Sequence, residues 1–190
     1  MRITGGQARG IPLVAPKGNA VRPATDGMRQ AVFSSIGHRV PDTWFLDLFA
    51  GSGAYGLEAL SRGAAGGVWV EKHRQAADCI RRNLAGVAKS LGRDERDTKI
   101  VSADATTVPW PLVGHVPSIV FIDPPYEVIE DVAATLFAKL TLLLAPQPDP
   151  LVVFEMPGEI ELKPPGWTCA KRLGKGAHQP SVGLFLREAT

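Results

Sequence analysis

The sequence lacks the features that mark metal-binding, disulfide-rich and membrane proteins. Its 190 residues include only two cysteines and four histidines, and none of them has the close spacing of a metal site or a disulfide framework, so we expect no bound metal. No apolar run approaches the length needed to cross a bilayer, and no apolar signal region follows Met1, which predicts a cytoplasmic protein. Cys79 and Cys169 fall within helix and strand patterns, which predicts two packed, reduced thiols.

A strong net charge is also missing. Lysine and arginine total 21 against 19 aspartates and glutamates, a formal charge of +2, so the overall field of the molecule identifies no partner. The distribution says more, because residues 1–30 carry five basic side chains against Asp26, and residues 163–187 carry five against none. Such ends indicate either a surface that faces a polyanion or an ordinary solvated basic face.

A predicted strand that breaks into a glycine loop is the first positive signal. Trp44–Leu48 is apolar enough for a buried strand, and a helix pattern begins at Ala54. Gly51 and Gly53 remove side chains where a ligand would approach the backbone. Glu71 closes the next predicted strand, about 20 residues on, where nucleotide-binding folds place a carboxylate on a ribose. This spacing leaves both a nicotinamide cofactor and S-adenosylmethionine open.

A second signal follows the apolar run Ile119–Ile122, as the tetrapeptide Asp123-Pro124-Pro125-Tyr126. Open α/β sheets hold their ligands at the carboxyl ends of such strands. Asp123 offers a carboxylate acceptor, Pro124 a backbone carbonyl and Tyr126 an aromatic face, which suits an exocyclic amine on a flat ring. The alternative is an ordinary proline turn in which Asp123 is only a cap.

The rest of the chain alternates strand and helix patterns, which predicts a parallel sheet with helices on both faces. Residues 167–173 and 182–187 alternate like a closing antiparallel hairpin, and residues 1–20 like a small hairpin or arm. Thr25 or Asp26 is placed to cap a helix. We expect one domain over residues 1–190, in which the arm and helix of residues 1–40 pack on a core formed by residues 41–190.

The glycine loop and the Asp-Pro-Pro-Tyr sequence together resemble motifs I and IV of the amino-group S-adenosylmethionine-dependent methyltransferases. Three stretches, residues 1–10, 21–26 and 46–63, resemble one branch, the bacterial 16S rRNA guanine-N2 methyltransferases of the small ribosomal subunit. After Asp26 that family usually has a basic residue and, three further on, a glutamate. Here those positions are Gly27 and Gln30.

The resemblance implies a Rossmann-like class I methyltransferase fold. Such a fold has a mostly parallel seven-stranded sheet with helices on both faces and a C-terminal antiparallel hairpin, here with a short N-terminal β-hairpin and helix extension. The implied activity is transfer of a methyl group from S-adenosylmethionine to the exocyclic N2 amine of one guanine, with S-adenosylhomocysteine as product. The implied partner is 16S rRNA within an assembled or assembling small subunit, and the implied state is a monomer.

The same resemblance assigns roles to residues. Asp123 and the Pro124 carbonyl would hold the amine, and Tyr126 would stack on the base. Residues assigned to the methionine part of the cofactor are Asp47, Ala50, Gly51, Ser52 and Gly53. Glu71 would bind the ribose, Asp104 either the adenine or the next turn as a cap, and Thr25 would reach across the cofactor if it is not a helix cap. Three basic residues would contact RNA phosphates: Arg2, Arg9 and Arg22.

Two other classes of protein remain, each with features it explains. A nicotinamide oxidoreductase would use the glycine loop and Glu71, but it leaves the Asp-Pro-Pro-Tyr sequence without a role. A non-catalytic RNA-binding module would explain the basic ends but not the loop. Among methyltransferases, the rival is a DNA adenine-N6 enzyme, against which 190 residues leave no separate target-recognition domain.

Overall fold

The structure, a computed structural model, describes residues 1–16, 25–112, 114–174 and 176–188 and contains a seven-stranded sheet. Its strands are β1 (Trp44–Leu48), β2 (Gly66–Val70), β3 (Thr98–Val101), β4 (Ile119–Ile122), β5 (Leu151–Pro157), β6 (Trp167–Leu173) and β7 (Pro180–Arg187). Its α-helices are α1 (Asp26–Ile36), α2 (Ala54–Ser61), α3 (Arg74–Leu91) and α4 (Ile129–Leu143). Short 3-10 turns span Gly37–Arg39 and Tyr126–Val128.

The strand order is β3-β2-β1-β4-β5-β7-β6. Strands β1 to β5 are parallel, and β7 runs antiparallel to both β5 and β6. The chain runs outward from β1 to β3 and then crosses back to β4, so β1 and β4 are neighbours where the order reverses. Ligands of open α/β sheets bind at such a point, beyond the carboxyl ends of the strands.

Each face of the sheet is covered by helices because alternate residues of the strands point to opposite faces. Phe45, Phe121 and Val153 belong to the core cluster that packs against α1, α2 and α3. Their neighbours along the strands belong to a second cluster, with α4 and the segment before β4. The predicted mostly parallel seven-stranded sheet, with helices on both faces and a C-terminal antiparallel hairpin, is confirmed.

The N-terminal arm, residues 1–13, is a short antiparallel pairing in which Arg2 bridges Pro12. It docks on α2 through a buried carboxylate, because the backbone N–H and hydroxyl of Thr4 donate to Glu58 at 2.8 and 2.7 Å. The arm also meets α1, where the fully buried Arg29 donates to the Arg2 carbonyl at 2.6 Å. Polar contacts to two helices therefore hold the arm on the domain.

Cys169 contradicts the predicted packing of both cysteines. Cys79 is buried in α3, as predicted, but Cys169 is exposed on β6. The reason is the position of β6 at the edge of the sheet, where much of the strand faces solvent.

In the described part of the chain, no helix is both long and apolar enough to span a membrane.

Candidate active site

A cavity of about 310 Å³ lies at the carboxyl ends of the parallel strands. This volume is at the lower end of the range found for small-molecule sites. Six of the residues predicted for the site line it: Asp47, Ala50, Gly51, Ser52, Glu71 and Asp123. Apolar side chains form another part of the wall, among them Val70, Ala103 and Ala105. The cavity therefore combines carboxyl groups with an apolar surface.

The glycine loop joins β1 to α2 beneath this cavity. Gly51 and Gly53 have φ angles of 54° and 77°, a region that glycine enters without steric cost. Phe49, another lining residue, has a φ of 57°, which is uncommon for a residue with a side chain. A β-carbon on Gly56 would lie 2.4 Å from both Phe45 and Trp69, so glycine there allows α2 to pack closely on the sheet.

Glu71 holds the glycine loop from the end of β2. Its Oε2 accepts from the Gly51 N–H at 2.8 Å, and its Oε1 accepts from the His73 N–H at 2.8 Å. The residue is only 6% exposed, yet it lines the cavity. A carboxylate oxygen accepts more than one hydrogen bond, so these contacts leave capacity for a ligand hydroxyl. Glu71 thus supports the loop and faces the cavity at the same time.

Asp47 lies inside the fold, on the face of β1 that packs against α2. Its Oδ2 accepts from the Gly56 N–H at 3.0 Å. Burial raises the pKa of this carboxyl well above its usual range, in spite of that hydrogen bond, and the nearby charge of Glu71 raises it further. A cationic ligand beside Asp47 would favour the ionised form. The carboxyl is therefore suited to a positively charged group.

Asp123 follows β4 directly, and its backbone N–H donates to the Leu48 carbonyl of the neighbouring strand at 3.3 Å. Burial raises the pKa of its carboxyl well above the usual range, and the charges of Glu155 and Asp47 raise it further. Pro125 lines the cavity beside it, whereas Pro124 is buried outside the lining. Tyr126 begins a 3-10 turn and is 40% exposed, so its ring is accessible to a flat ligand.

Sequence reasoning missed two buried residues beside the Asp123 carboxyl, Tyr55 and Glu155. The Tyr55 hydroxyl donates to Oε2 of Glu155 at 3.1 Å, and Tyr55 lines the cavity. In the parallel pairing of β4 with β5, Ile122 lies opposite Phe154, so the next residues, Asp123 and Glu155, follow side by side. Burial raises the pKa of Glu155 to about 7, although the Tyr55 hydrogen bond and the charge of Arg29 lower it.

Three residues predicted to contact the cofactor, Gly53, Thr25 and Asp104, lie outside the cavity lining. Gly53 is the N-cap of α2, with its carbonyl accepting from the Trp69 indole at 3.2 Å. Thr25 caps α1 by accepting from the Met28 N–H at 3.1 Å, which confirms the cap interpretation. The carboxylate of Asp104 accepts from the backbone and hydroxyl of Thr106, and these bonds hold its pKa below the usual range. The cofactor contacts of these three residues stay predictions, and so do the contacts of Pro124 with the amine and of Tyr126 with the base.

The three predicted RNA contacts differ in what the structure describes. Arg2 and Arg9 are exposed on the arm, so their side chains are accessible to a polyanion. Arg22 lies outside the described residues.

The two departures from the family pattern, Gly27 and Gln30, are exposed positions of α1. Within the described ranges, no group of three or more histidine, cysteine, aspartate or glutamate side chains is arranged to hold a metal ion.

Known proteins resemble this chain over most of its length, including the N-terminal arm. The family model described as "Conserved hypothetical protein 95" matches residues 1–181. The ribosomal RNA small subunit methyltransferase D of Escherichia coli K12 is 34% identical over 194 residues, spanning 100% of this chain and 91% of that protein. The protein of the same name from Haemophilus influenzae is 28% identical, across 93% of this chain and 89% of its own.

Solved structures agree with this match. The yhhF protein of Escherichia coli has a TM-score of 0.76 and 29% identity, covering 100% of this chain and 99% of its own. A hypothetical protein of Thermus thermophilus has a TM-score of 0.72 and 31% identity, covering 97% and 98%. SMU.776, solved in complex with SAH, has a TM-score of 0.61 and only 12% identity, covering 83% of this chain and 49% of its own, so it shows the fold alone. The chain belongs to the family of the ribosomal RNA small subunit methyltransferase D proteins, described by its model as conserved hypothetical protein 95.

Proposed function

We propose that this protein methylates ribosomal RNA of the small subunit with S-adenosylmethionine, at the exocyclic N2 amine of a guanine in 16S rRNA. The observation that carries the proposal is the position of Asp123. Its carboxyl lies in the wall of a ligand-sized cavity, at the end of β4, with the accessible ring of Tyr126 three residues on. Acceptors next to a stacking surface suit an amine on a flat base.

The cavity fits the proposed cofactor by its charge and its walls. Asp47, Glu71 and Asp123 bring three carboxyl groups to the lining, which suits a ligand that carries a sulfonium and an ammonium. Gly51 and Ser52 would hold its methionine part, Glu71 its ribose hydroxyls, and the apolar wall its adenine. When bound, S-adenosylmethionine supplies an activated methyl group, so the protein has mainly to align and desolvate the reactants.

The residues of the chain would act on the amine. A guanine N2 lone pair is delocalised into the ring, so the amine is a weak nucleophile. Hydrogen bonds from the amine to the Asp123 carboxyl and the Pro124 carbonyl would favour a tetrahedral nitrogen and stabilise the positive charge that develops there. Asp123 or water would then take the released proton. Tyr126 would stack on the base once it is turned out of its helix or loop.

Glu71 is expected to contribute to cofactor affinity through its negative charge. The Glu71→Gln variant keeps the size of the side chain but loses the charge and turns one acceptor into a donor. Affinity for S-adenosylmethionine should fall by about 1.5–3 kcal/mol, the usual range for hydrogen bonds to a charged group. Isothermal titration calorimetry measures this, with Glu95→Gln, at an exposed glutamate outside the cavity, as the control. Unchanged affinity in folded Glu71→Gln would remove this residue from the cofactor site.

The arm is expected to bind RNA phosphates without reading a base. Changing Arg2 and Arg9 to glutamine should weaken RNA binding at low salt, because both side chains are exposed on one arm. The log–log slope of affinity against salt should decrease by about 0.7–0.9 per lost phosphate contact. Filter binding over a salt series measures this slope.

Arg96→Gln is the charge-matched control for the arm. Arg96 is 78% exposed and pairs with Asp94 in the loop between α3 and β3, at the amino end of the parallel strands. Its loss should leave the salt slope unchanged. Equal salt slopes for the wild type and the arm variant would show that Arg2 and Arg9 do not contact RNA phosphates and that the arm has only a structural role.

An activity assay separates this proposal from its rivals. The protein is incubated with tritiated S-adenosylmethionine and small-subunit particles from cells that lack the enzyme, and the labelled rRNA is digested and mapped by mass spectrometry. Label in N2-methylguanosine is the expected result. In a parallel incubation with duplex DNA in place of the particles, label in its adenine would favour the DNA enzyme instead. A thermal shift with a nicotinamide cofactor, and none with S-adenosylmethionine, would favour an oxidoreductase.

A further inference from the structure

A buried asparagine, Asn83, lies on the apolar side of α3, close to Ile80 and Leu84 in sequence. It is only 4% exposed, so its amide needs partners within the protein. Its Oδ1 accepts from the Val14 N–H at 2.8 Å, and its Nδ2 donates to the Val14 carbonyl at 2.9 Å. The same Nδ2 donates to the Ser52 carbonyl at 2.9 Å. Both amide hydrogens are therefore used, and both bind backbone carbonyls.

The two segments that Asn83 joins both contribute to the cavity wall. Ser52 belongs to the glycine loop and lines the cavity, and so do Ala15 and Pro16, which directly follow Val14. Val14 is the point at which the arm leaves its own pairing, since the Leu13 N–H still donates to the Met1 carbonyl at 3.0 Å. Asn83 thus holds the wall formed by residues 15 and 16 at a set distance from the loop.

We infer that Asn83 is a positioning residue for the donor cofactor: through its contacts with Val14 and Ser52 it sets the width of the cavity and so the affinity for S-adenosylmethionine. This inference rests on the proposed function for the identity of the ligand. A primary amide has the hydrogen-bonding pattern of a peptide group, so it pairs with Val14 as a strand neighbour would. No other residue type keeps this pattern at the same reach.

Asn83→Asp is the sharpest variant, because it changes only the Nδ2 group. It keeps the acceptor for the Val14 N–H but places a carboxylate oxygen against the carbonyls of Val14 and Ser52. Repulsion among these oxygens should move the wall away from the loop. We expect the dissociation constants of S-adenosylmethionine and S-adenosylhomocysteine to rise on the order of 10-fold or more. In steady-state kinetics the KM for the donor should rise, while the KM for RNA stays unchanged.

Ser61→Ala is the matched control, since Ser61 also ties the arm to a helix through buried hydrogen bonds. Its Oγ accepts from the Ala8 N–H at 2.9 Å and donates to the Gly5 carbonyl at 2.6 Å, and it lies outside the cavity lining. This variant should lose stability but keep wild-type affinity for the cofactor. If Asn83→Asp does not fold, Asn83→Ser, whose side chain is too short to bridge, replaces it at a lower temperature.

Calorimetry on wild-type and variant proteins decides between the outcomes. Weaker cofactor binding in the Asn83 variants alone supports the inference. Wild-type affinity in a folded Asn83 variant would overturn it, and so would equal weakening in Ser61→Ala, because a general loss of arm packing would then explain both. If the wild-type protein itself binds no S-adenosylmethionine, the proposed function fails, and that result is distinct from either of these.

Discussion

Replacing Asp123 with asparagine should lower turnover on small-subunit particles about 100-fold or more, the usual cost of removing a preorganised group aimed at developing charge. The amide keeps the size of the side chain and one acceptor, but it cannot take a proton and presents a donor to the amine. Burial and the charges of Glu155 and Asp47 raise the pKa of Asp123. The ratio of wild-type turnover to Asp123→Asn turnover should therefore increase as the pH rises and the carboxyl ionises.

The assay is tritium transfer between about pH 6 and pH 9, together with thermal unfolding and cofactor calorimetry on the same samples. The neutral amide removes a buried carboxyl with a raised pKa, so stability at high pH should rise and not fall. A loss of turnover in a folded variant saturated with cofactor therefore marks a role in the reaction. Asp149→Asn, at a carboxylate 70% exposed in the loop before β5, is the control for the chemical change. Near-normal turnover of Asp123→Asn would refute the assigned role, and near-normal turnover of Asp123→Ala would count against amine methylation itself.

Replacing Glu155 with glutamine should remove a pH dependence from the stability of the fold. Burial raises the pKa of Glu155 from 4.5 to about 7, so the folded protein binds this proton more tightly than the unfolded chain. The stability that comes from the protonated carboxyl is complete below pH 4.5 and is lost as the pH rises through 7. The shift corresponds to about 3 kcal/mol. Glutamine stays neutral and still accepts from the Tyr55 hydroxyl.

Urea unfolding at about pH 5 and about pH 9 measures the effect, as the difference between wild type and variant at each pH. The wild type should lose stability relative to Glu155→Gln on going to the higher pH. Titrating groups outside the Asp123 and Glu155 pair cancel in this difference. Glu161→Gln, at a carboxylate 72% exposed in the loop after β5, should follow the wild type. If the difference in the free energy of unfolding between the wild type and Glu155→Gln is the same at both pH values, the pKa of Glu155 is not raised by folding and the prediction is wrong.

The strands and the two motifs could be predicted because their signals are local. A parallel strand buried on both faces is a continuous apolar run, and Ile119–Ile122 and Leu151–Phe154 are such runs. Parallel strands end at one edge of the sheet, so a residue that follows one of them, such as Asp123, falls in the ligand crevice. Glu155 follows its own run in the same way, and this signal could have placed it beside the site.

Other parts of the site depend on contacts between residues far apart in the chain. Tyr55 meets Glu155 across 100 positions, and Asn83 meets Val14 across 69. An asparagine at a buried position of a helix looks like a polar surface residue until the fold shows what covers it. For Asp104, a carboxylate after a strand has the same local pattern whether it caps the next turn or binds a ligand, and only the structure shows the two bonds from Thr106.

The docking of the arm has a consequence for synthesis of the chain. Thr4 and Ala8 leave the ribosome before their partners Glu58 and Ser61, which lie 54 and 53 positions later. The arm therefore cannot reach its final place until α2 has emerged, and a non-local contact of this kind forms only after its loop has closed. Until then Ile3 and Leu13, which are buried in the finished fold, lack the partners that cover them there. The arm is thus made before α2 but fixed in place only after it.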